Sequence, residues 1–246
     1  MTLLEVAGVD VAYGKVRVLE GVDFVVAPAE TVALLGTNGA GKSTLLRTIS
    51  GILRPQRGQI RFDGEDISTA RTHEVVRRGL VQMPGGRATF PGLSVEENLH
   101  VGTVTIPRRD RPARVDEVFE LFPWLSERRQ QLAGTLSGGQ QQMLALARVL
   151  LTRPRLVMID ELSLGLAPAI VAELLAVLAT LRERGTAVVV VEQHVDLALS
   201  FADRAYFLER GQVRFEGPAD DLRGRTDLLR AVLLTGTVPD SARAAL

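Results

Sequence analysis

A glycine-rich segment between a predicted strand and a predicted helix is the strongest constraint on the fold of this 246-residue chain. Residues 36–44 read GTNGAGKST, match G-x-x-x-x-G-K-[ST], and stand between the apolar run TVALLG and the helical pattern KSTLLRTISGIL. Gly36, Gly39 and Gly41 allow the backbone to curl so that its N–H groups point at a phosphate chain. The segment therefore predicts a nucleotide-binding P-loop.

Two side chains in this segment have the chemistry that a nucleoside triphosphate requires. Lys42, one of only two lysines in the chain, is placed to reach the β- and γ-phosphates, and the Ser43 hydroxyl is placed to bind Mg²⁺. The positive end of the following helix adds to the attraction for an anion. We expect the nucleotide to contact the whole loop, namely Gly36, Asn38, Gly39, Ala40, Gly41, Lys42, Ser43 and Thr44.

An acidic pair follows a second apolar strand, as a P-loop site requires. The run RLVMIDE places Asp160 and Glu161 at the carboxyl end of that strand, where open α/β sheets bind their ligands. Asp160 is expected to hold Mg²⁺, directly or through water. Glu161 is expected to polarise the attacking water as a general base, a role worth about 10²–10⁴ in rate.

Composition excludes several classes of protein. The formal net charge is zero and there is no cysteine, so neither a nucleic-acid-binding protein nor a disulfide or cysteine-metal scaffold is indicated. No stretch approaches about 18 consecutive apolar residues, and the first residues lack the pattern of a secretory signal. The expected location is the cytoplasm.

The pattern of elements divides the chain into three kinds of segment. Short alternating or apolar runs fill residues 1–65, and a helical pattern fills about 94–133, opened by a capping box of Ser94 and Glu97. Elsewhere apolar strands alternate with helices, which predicts a parallel sheet covered on both faces.

A second glycine-rich turn, LSGGQ, opens a predicted helix at residues 136–140. Taken alone, it is a helix N-terminus that could hold an anion. It also resembles the signature motif of the ATP-binding cassette (ABC) family, and it stands between the P-loop and RLVMIDE in that family's order. The resemblance covers nearly the whole chain.

This resemblance implies a fold. We expect an α/β protein with a P-loop NTPase core of mostly parallel sheet, an N-terminal antiparallel β-subdomain and an inserted helical subdomain. The whole chain, 1–246, is expected to form one ABC ATPase domain, with 1–93 and 134–246 as core and β-subdomain and about 94–133 as the helical subdomain.

The resemblance also implies a shared ATP site. In the family two cassettes dimerise head to tail, and each ATP lies between one P-loop and the other subunit's signature. The signature residues are therefore expected to contact ATP held by a partner, and they are Ser137, Gly138, Gly139 and Gln140. Tyr13 matches the aromatic residue that stacks on adenine. The implied cofactors are ATP and Mg²⁺.

Departures from the general family pattern resemble one subgroup. Gly85 stands where the family usually has Gln or Glu. The stretch GGRATFPGLSVEENL, the segment SLGLAP and the sequence VEQ together resemble the ATPases of branched-chain amino acid uptake systems, in particular their second, shorter ATPase subunit. Relatives that move urea or short amides, and a non-transport ABC ATPase acting on ribosomes or DNA, are the alternatives.

The implied partners follow from this subgroup. They are transmembrane permease subunits, a second ABC ATPase subunit that is identical or different, and, indirectly, a periplasmic or extracellular solute-binding protein. No nucleic-acid partner is expected. The resemblance places the chain at the cytoplasmic face of the membrane as a peripheral subunit.

The polar cluster after the strand AVVVV leaves one assignment open. The resemblance implies that this strand ends in a switch residue, a histidine in most of the family, which contacts the γ-phosphate. Spacing from Glu161 does not separate Gln193 from His194 as that residue, so both are catalytic candidates. Alignment on Val-Glu and on the later ADR favours Gln193. Because successive strand residues point to opposite faces, only one of the two can face the nucleotide.

We therefore expect Gln193→Ala to lower ATP turnover more than His194→Ala does. Glutamine can donate a hydrogen bond to a phosphate oxygen, and alanine removes that donor. A steady-state hydrolysis assay of the two variants measures the ranking. The reverse ranking would reject the alignment.

Overall fold

A computed structural model describes residues 2–86, 88–163, 165–192 and 194–223 of the chain. Within these ranges the strands are β1 (Leu4–Tyr13), β2 (Val16–Val26), β3 (Thr31–Gly36), β4 (Arg57–Phe62), β5 (Glu65–Asp66), β6 (Leu80–Met83), β7 (Leu156–Asp160), β8 (Ala187–Val191), β9 (Arg204–Glu209) and β10 (Gln212–Pro218).

The helices of the described ranges lie between these strands. They are α1 (Lys42–Ile49), α2 (Thr72–Arg77), α3 (Val95–Gly102), α4 (Arg111–Leu121), α5 (Pro123–Glu127), α6 (Gly138–Leu150), α7 (Pro168–Glu183) and α8 (Val195–Phe201), with 3₁₀ turns at Arg108–Asp110, Ala133–Thr135 and Ala219–Asp221. The longest has 16 residues. None of the described helices has the length and apolarity needed to cross a lipid bilayer.

The central sheet has the strand order β10-β9-β3-β8-β7-β6. Its pairs are parallel except for the antiparallel β9–β10 hairpin. β7 and β8 are buried along their whole length, as expected for strands covered by helices on both faces. The parallel core sheet that strand–helix alternation predicts is present.

A second sheet, in the order β2-β1-β4-β5, forms from the first part of the chain. All its pairs are antiparallel. The apolar side chains of its inner face join those of β3, β8 and α1 in one core cluster. Tyr206 ties the two sheets together, because its hydroxyl donates to Glu216 at 2.6 Å and accepts the Val25 N–H at 3.2 Å.

The predicted helical block contains α3, α4 and α5, and an isolated bridge between Ser94 and Leu132 joins its two ends. The predicted capping box is present, with Ser94 Oγ accepting the Glu97 N–H and the Glu97 carboxylate accepting the Ser94 N–H. Asn98 is fully buried and hydrogen-bonds the backbone of Phe90, Leu93 and Ser94. The division into core and inserted subdomain stays a prediction. The short helix α2 was not predicted from the sequence.

Candidate nucleotide site

A cleft of about 460 Å³ lies at the carboxyl ends of β3 and β7. Most of the predicted nucleotide and metal residues line it, together with two residues that the sequence did not single out, Val18 and Arg47. The full lining is Tyr13, Val18, Asn38, Gly39, Ala40, Gly41, Lys42, Ser43, Thr44, Arg47, Asp160 and Glu161. One cleft is therefore lined by Tyr13, by the loop between β3 and α1, and by the acidic pair Asp160 and Glu161.

The loop between β3 and α1 packs so closely against neighbouring strands that two of its residues must be glycine. A Cβ on Gly36 would lie 2.2 Å from the Leu208 carbonyl oxygen, and one on Gly41 would lie 2.7 Å from Leu19 Cδ2. Gly41 also has a left-handed backbone, with φ +108°, and it caps α1 without a side-chain hydrogen bond. The first N–H groups of α1 are thus presented to the cleft without a capping side chain among the described residues, as an anion site requires.

Lys42 is held at this loop by two backbone acceptors. Its Nζ donates to the carbonyl oxygens of Gly36 at 2.8 Å and Thr37 at 2.9 Å. Burial lowers the pKa of the Lys42 ammonium, while the negative charges of Asp160 and Glu161 oppose that shift. The Lys42 ammonium is therefore already in place at the loop. A charged phosphate oxygen can replace the neutral carbonyl oxygens as its hydrogen-bond acceptor.

Ser43 and Asp160 offer two oxygen atoms that could act as metal ligands in the cleft. Burial raises the pKa of the Asp160 carboxyl, and a hydrogen bond from Ser43 acts in the opposite direction. No cluster of three or more His, Cys, Asp or Glu side chains suited to a metal occurs among the described residues. A hydroxyl and one carboxylate fit Mg²⁺, which takes few protein ligands and completes its shell with phosphate oxygens and water.

Glu161 lines the cleft directly after Asp160 and has an unusual backbone. Its φ is +56°, in the left-handed region that non-glycine residues rarely adopt. Its N–H donates to the Val191 carbonyl oxygen at 2.9 Å, which ties the turn after β7 to the end of β8. The chain thus reverses at the residue predicted to act as general base.

Tyr13 is the last residue of β1 and stands at the edge of the cleft. Its side chain is exposed, with 45% of its surface accessible. It is therefore not a core aromatic, and its ring face is available for stacking on a base.

The ABC transporter family profile matches residues 19–163, more than half of the chain. The chain belongs to the ABC transporter family. It is 45% identical over 201 residues to the high-affinity branched-chain amino acid transport ATP-binding protein BraG of Pseudomonas aeruginosa, which covers 82% of this chain and 86% of that protein. It is 33% identical over 221 residues to a probable branched-chain amino acid transport ATP-binding protein, LivF, of Archaeoglobus fulgidus, covering 89% and 94%.

Solved structures agree on the fold. An ATP-binding cassette of an ABC transporter, crystallised in its ADP conformation, superposes with a TM-score of 0.85 over 94% of this chain and 98% of that chain at 24% identity. This likeness confirms the α/β fold class, while the family profile and the curated relatives confirm the family resemblance and the assignment as an ABC ATPase.

The predicted ABC signature opens α6 outside the cleft. Ser137 is the N-cap, and its side chain and that of Gln140 exchange hydrogen bonds with each other's backbone N–H. Ser137 and Gly138 are exposed, whereas a Cβ on Gly139 would lie 2.7 Å from Ile170 on α7. None of these signature residues lines the cleft that holds the P-loop.

Of the two candidates for the switch residue, only His194 lies among the described residues. Gln193 lies outside the described residues, so its assignment stays a prediction. His194 is exposed at the N-terminus of α8 and lines another groove of about 660 Å³ with Ser163 and residues of α7, rather than the P-loop cleft.

Two further residues, Glu192 and Ser163, have contacts that sequence reasoning did not predict. Glu192 is buried and accepts two hydrogen bonds from Ser163, in the turn after Glu161. The polar cluster after β8 was the signal for it, but a contact with a residue 29 positions away cannot be read from local spacing. Gly85 backs onto the metal candidate, since a Cβ there would lie 3.1 Å from the Asp160 carbonyl oxygen.

We expect Gly36→Ala to destabilise the protein more than Gly39→Ala. Both have positive φ, but an added Cβ meets the Leu208 carbonyl at 2.2 Å in the first case and open space in the second. The losses in free energy of unfolding should be about 3 kcal/mol or more for Gly36→Ala and about 1–2 kcal/mol for Gly39→Ala. Urea unfolding measures both, and equal losses would contradict the packing described here.

Proposed function

We propose that the chain is the ATP-hydrolysing subunit that energises import of branched-chain amino acids through separate membrane subunits. The similarity to BraG, at 45% identity over most of both chains, is the observation that carries this proposal. The cleft supports its ATPase part, because it combines a phosphate-binding loop with a buried acid and a second acid at the strand end.

The binding step uses the loop and the two ends of the cleft. The N–H groups at the start of α1 and the Lys42 ammonium hold the phosphates, and Tyr13 stacks on the base at the exposed edge. Ser43 and Asp160 would hold Mg²⁺, which would supply neutralisation of phosphate charge. Asp160 suits this role, since its burial disfavours a charge that a cation would stabilise.

The hydrolytic step is assigned to Glu161. Its carboxylate lines the same cleft as Lys42 and follows the metal candidate by one residue. It accepts a proton from the attacking water, whose oxygen bonds to the γ-phosphorus as the bond to the bridging oxygen breaks, which releases ADP and inorganic phosphate. The switch residue, Gln193 or His194, is proposed to contact the γ-phosphate beside it.

A complete ATP site is proposed to need two cassettes. Ser137 and Gly138 are exposed at the start of α6 and lie outside the chain's own cleft. The Gly138 N–H and the Ser137 hydroxyl are suited to the γ-phosphate of a nucleotide held by a partner cassette. The partner is a second ABC ATPase subunit, identical or paralogous.

The contact with the membrane subunits is proposed at a groove of about 450 Å³ between the loop after β6 and helices α3 and α6. Three apolar side chains at this groove are exposed, namely Phe90, Val101 and Val104, the last with 73% of its surface accessible. The Arg148 guanidinium stacks 4.7 Å from the Phe90 ring centre and donates to the Ala88 carbonyl oxygen. The groove thus joins the signature helix to the loop that carries Gly85. Binding of the membrane subunits at this groove would hold the chain at the cytoplasmic face of the membrane.

Two substitutions should separate nucleotide binding from hydrolysis. Lys42→Ala removes the preplaced cation and should weaken ATP binding by about 10–100-fold, the worth of one charged hydrogen bond. Glu161→Gln should leave ATP binding within about twofold and lower kcat by about 10²–10⁴. Binding of a fluorescent ATP analogue and phosphate release measure the two effects.

The chain supplies a matched control for the lysine variant. Lys15, the only other lysine, is exposed and does not line the cleft, so Lys15→Ala should leave both binding and turnover unchanged. Hydrolysis by Glu161→Gln at the wild-type rate would reject the assignment of the general base.

Uptake assays in the source organism test which solute the system transports. Deleting the gene should abolish uptake of labelled leucine, isoleucine and valine, and wild type but not Lys42→Ala should restore it, because transport depends on ATP held at the P-loop. Unchanged uptake of all three amino acids would remove the substrate assignment. Urea and short amides are then the solutes to assay.

A further inference from the structure

Glu192 is a buried acid whose partner is a turn rather than a cation. The residue follows β8 directly and has 2% of its surface accessible. One carboxylate oxygen accepts the Ser163 N–H at 2.7 Å, and the other accepts the Ser163 hydroxyl at 2.9 Å. None of the ion pairs between described residues includes Glu192.

Such an arrangement is costly for a purely structural contact. A buried acid loses its hydration, and without a positive partner only its hydrogen bonds offset that loss. A well-packed apolar side chain would fill the same space without the cost. What the carboxylate adds is direction, since its two oxygens fix both the backbone and the side chain of Ser163.

The fixed turn is the one that carries Glu161. Val191 accepts the Glu161 N–H at 2.9 Å, and its neighbour Glu192 accepts the N–H of Ser163, two residues further on. Two consecutive residues at the end of β8 therefore hold both sides of the left-handed residue, whose φ is +56°. A left-handed non-glycine residue is strained and persists where its surroundings over-determine it.

We propose that Glu192 is a positioning residue for hydrolysis, which orients the Glu161 carboxylate towards the attacking water by fixing the turn that follows it. The inference rests on the proposed role of Glu161 as general base. Glu192 does not line the P-loop cleft and so acts through the turn, not by contact with ATP. The two hydrogen bonds of its carboxylate go to Ser163, which is not among the residues proposed to bind the nucleotide.

The test compares the full chain with Glu192→Gln and Ser163→Ala. Glu192→Gln replaces one of two acceptors by a donor at nearly constant volume, and a misplaced reacting group costs about 10²-fold in rate. We expect kcat to fall by about that factor, while the dissociation constant of a fluorescent ATP analogue stays within about twofold. Ser163→Ala loses only the hydroxyl bond, worth about 1 kcal/mol and so roughly fivefold in kcat.

Glu183→Gln is the matched control, because this carboxylate is exposed on α7 and away from the cleft. It should leave kcat and affinity unchanged. The double variant Glu161→Gln with Glu192→Gln should be no slower than Glu161→Gln alone, since a residue that acts through Glu161 has nothing left to position.

Three results would overturn the proposal. They are an unchanged kcat in both single variants, a loss of nucleotide affinity equal to the loss of kcat, and a further fall in the double variant. If Glu192→Gln does not fold, the kcat and affinity of Ser163→Ala decide in the same way. Wild-type turnover by Glu161→Gln would instead reject the proposed role of Glu161 as general base, on which this inference rests.

Discussion

Parallel pairing of β3, β8 and β7 is the constraint on which the rest of the site depends. The register places Val191 beside Leu34 on one side and beside Asp160 on the other, so β7 and β8 end at one level and β3 continues to Gly36 at the same edge of the sheet. The P-loop follows β3, the acidic pair closes β7, and Glu192 follows β8 at that edge. Because all three strands are buried, the polar groups required for phosphate chemistry are confined to the strand ends.

The features that the sequence predicted are those encoded by neighbours along the chain. The P-loop, the acidic pair and the caps at Ser94 and Ser137 each depend on residues a few positions apart, and each is found where the pattern placed it. The order of strands is not local, and the position of β9 between β3 and β10 could not be read from periodicity. The contact between Glu192 and Ser163 spans 29 residues and was missed for the same reason.

Family membership explains why one chain carries two unlike surfaces. The cleft supplies the P-loop, the metal candidate and the proposed general base, whereas the signature opens α6 elsewhere. Helix α7 connects the cleft to the signature inside the chain. It follows the turn that carries Glu161, and its Ile170 packs against Gly139 of the signature. In the proposed head-to-tail pair, each chain contacts one nucleotide with its cleft and the other with its signature. A structural change at one nucleotide can therefore reach the other through side chains packed inside a single chain. This arrangement suits an ATPase whose closed and open states differ in nucleotide affinity.

Sedimentation velocity of the full-length Glu161→Gln chain, with and without MgATP, tests the two-cassette site most directly, because slow hydrolysis preserves the ATP-bound state. It is run alone and with the second ATPase subunit of the same transport system, and Lys42→Ala serves as the control that cannot hold ATP. The account predicts that MgATP converts one-cassette particles into two-cassette particles in at least one of these samples, and that the control does not respond. One-cassette particles throughout, at saturating MgATP, would contradict it.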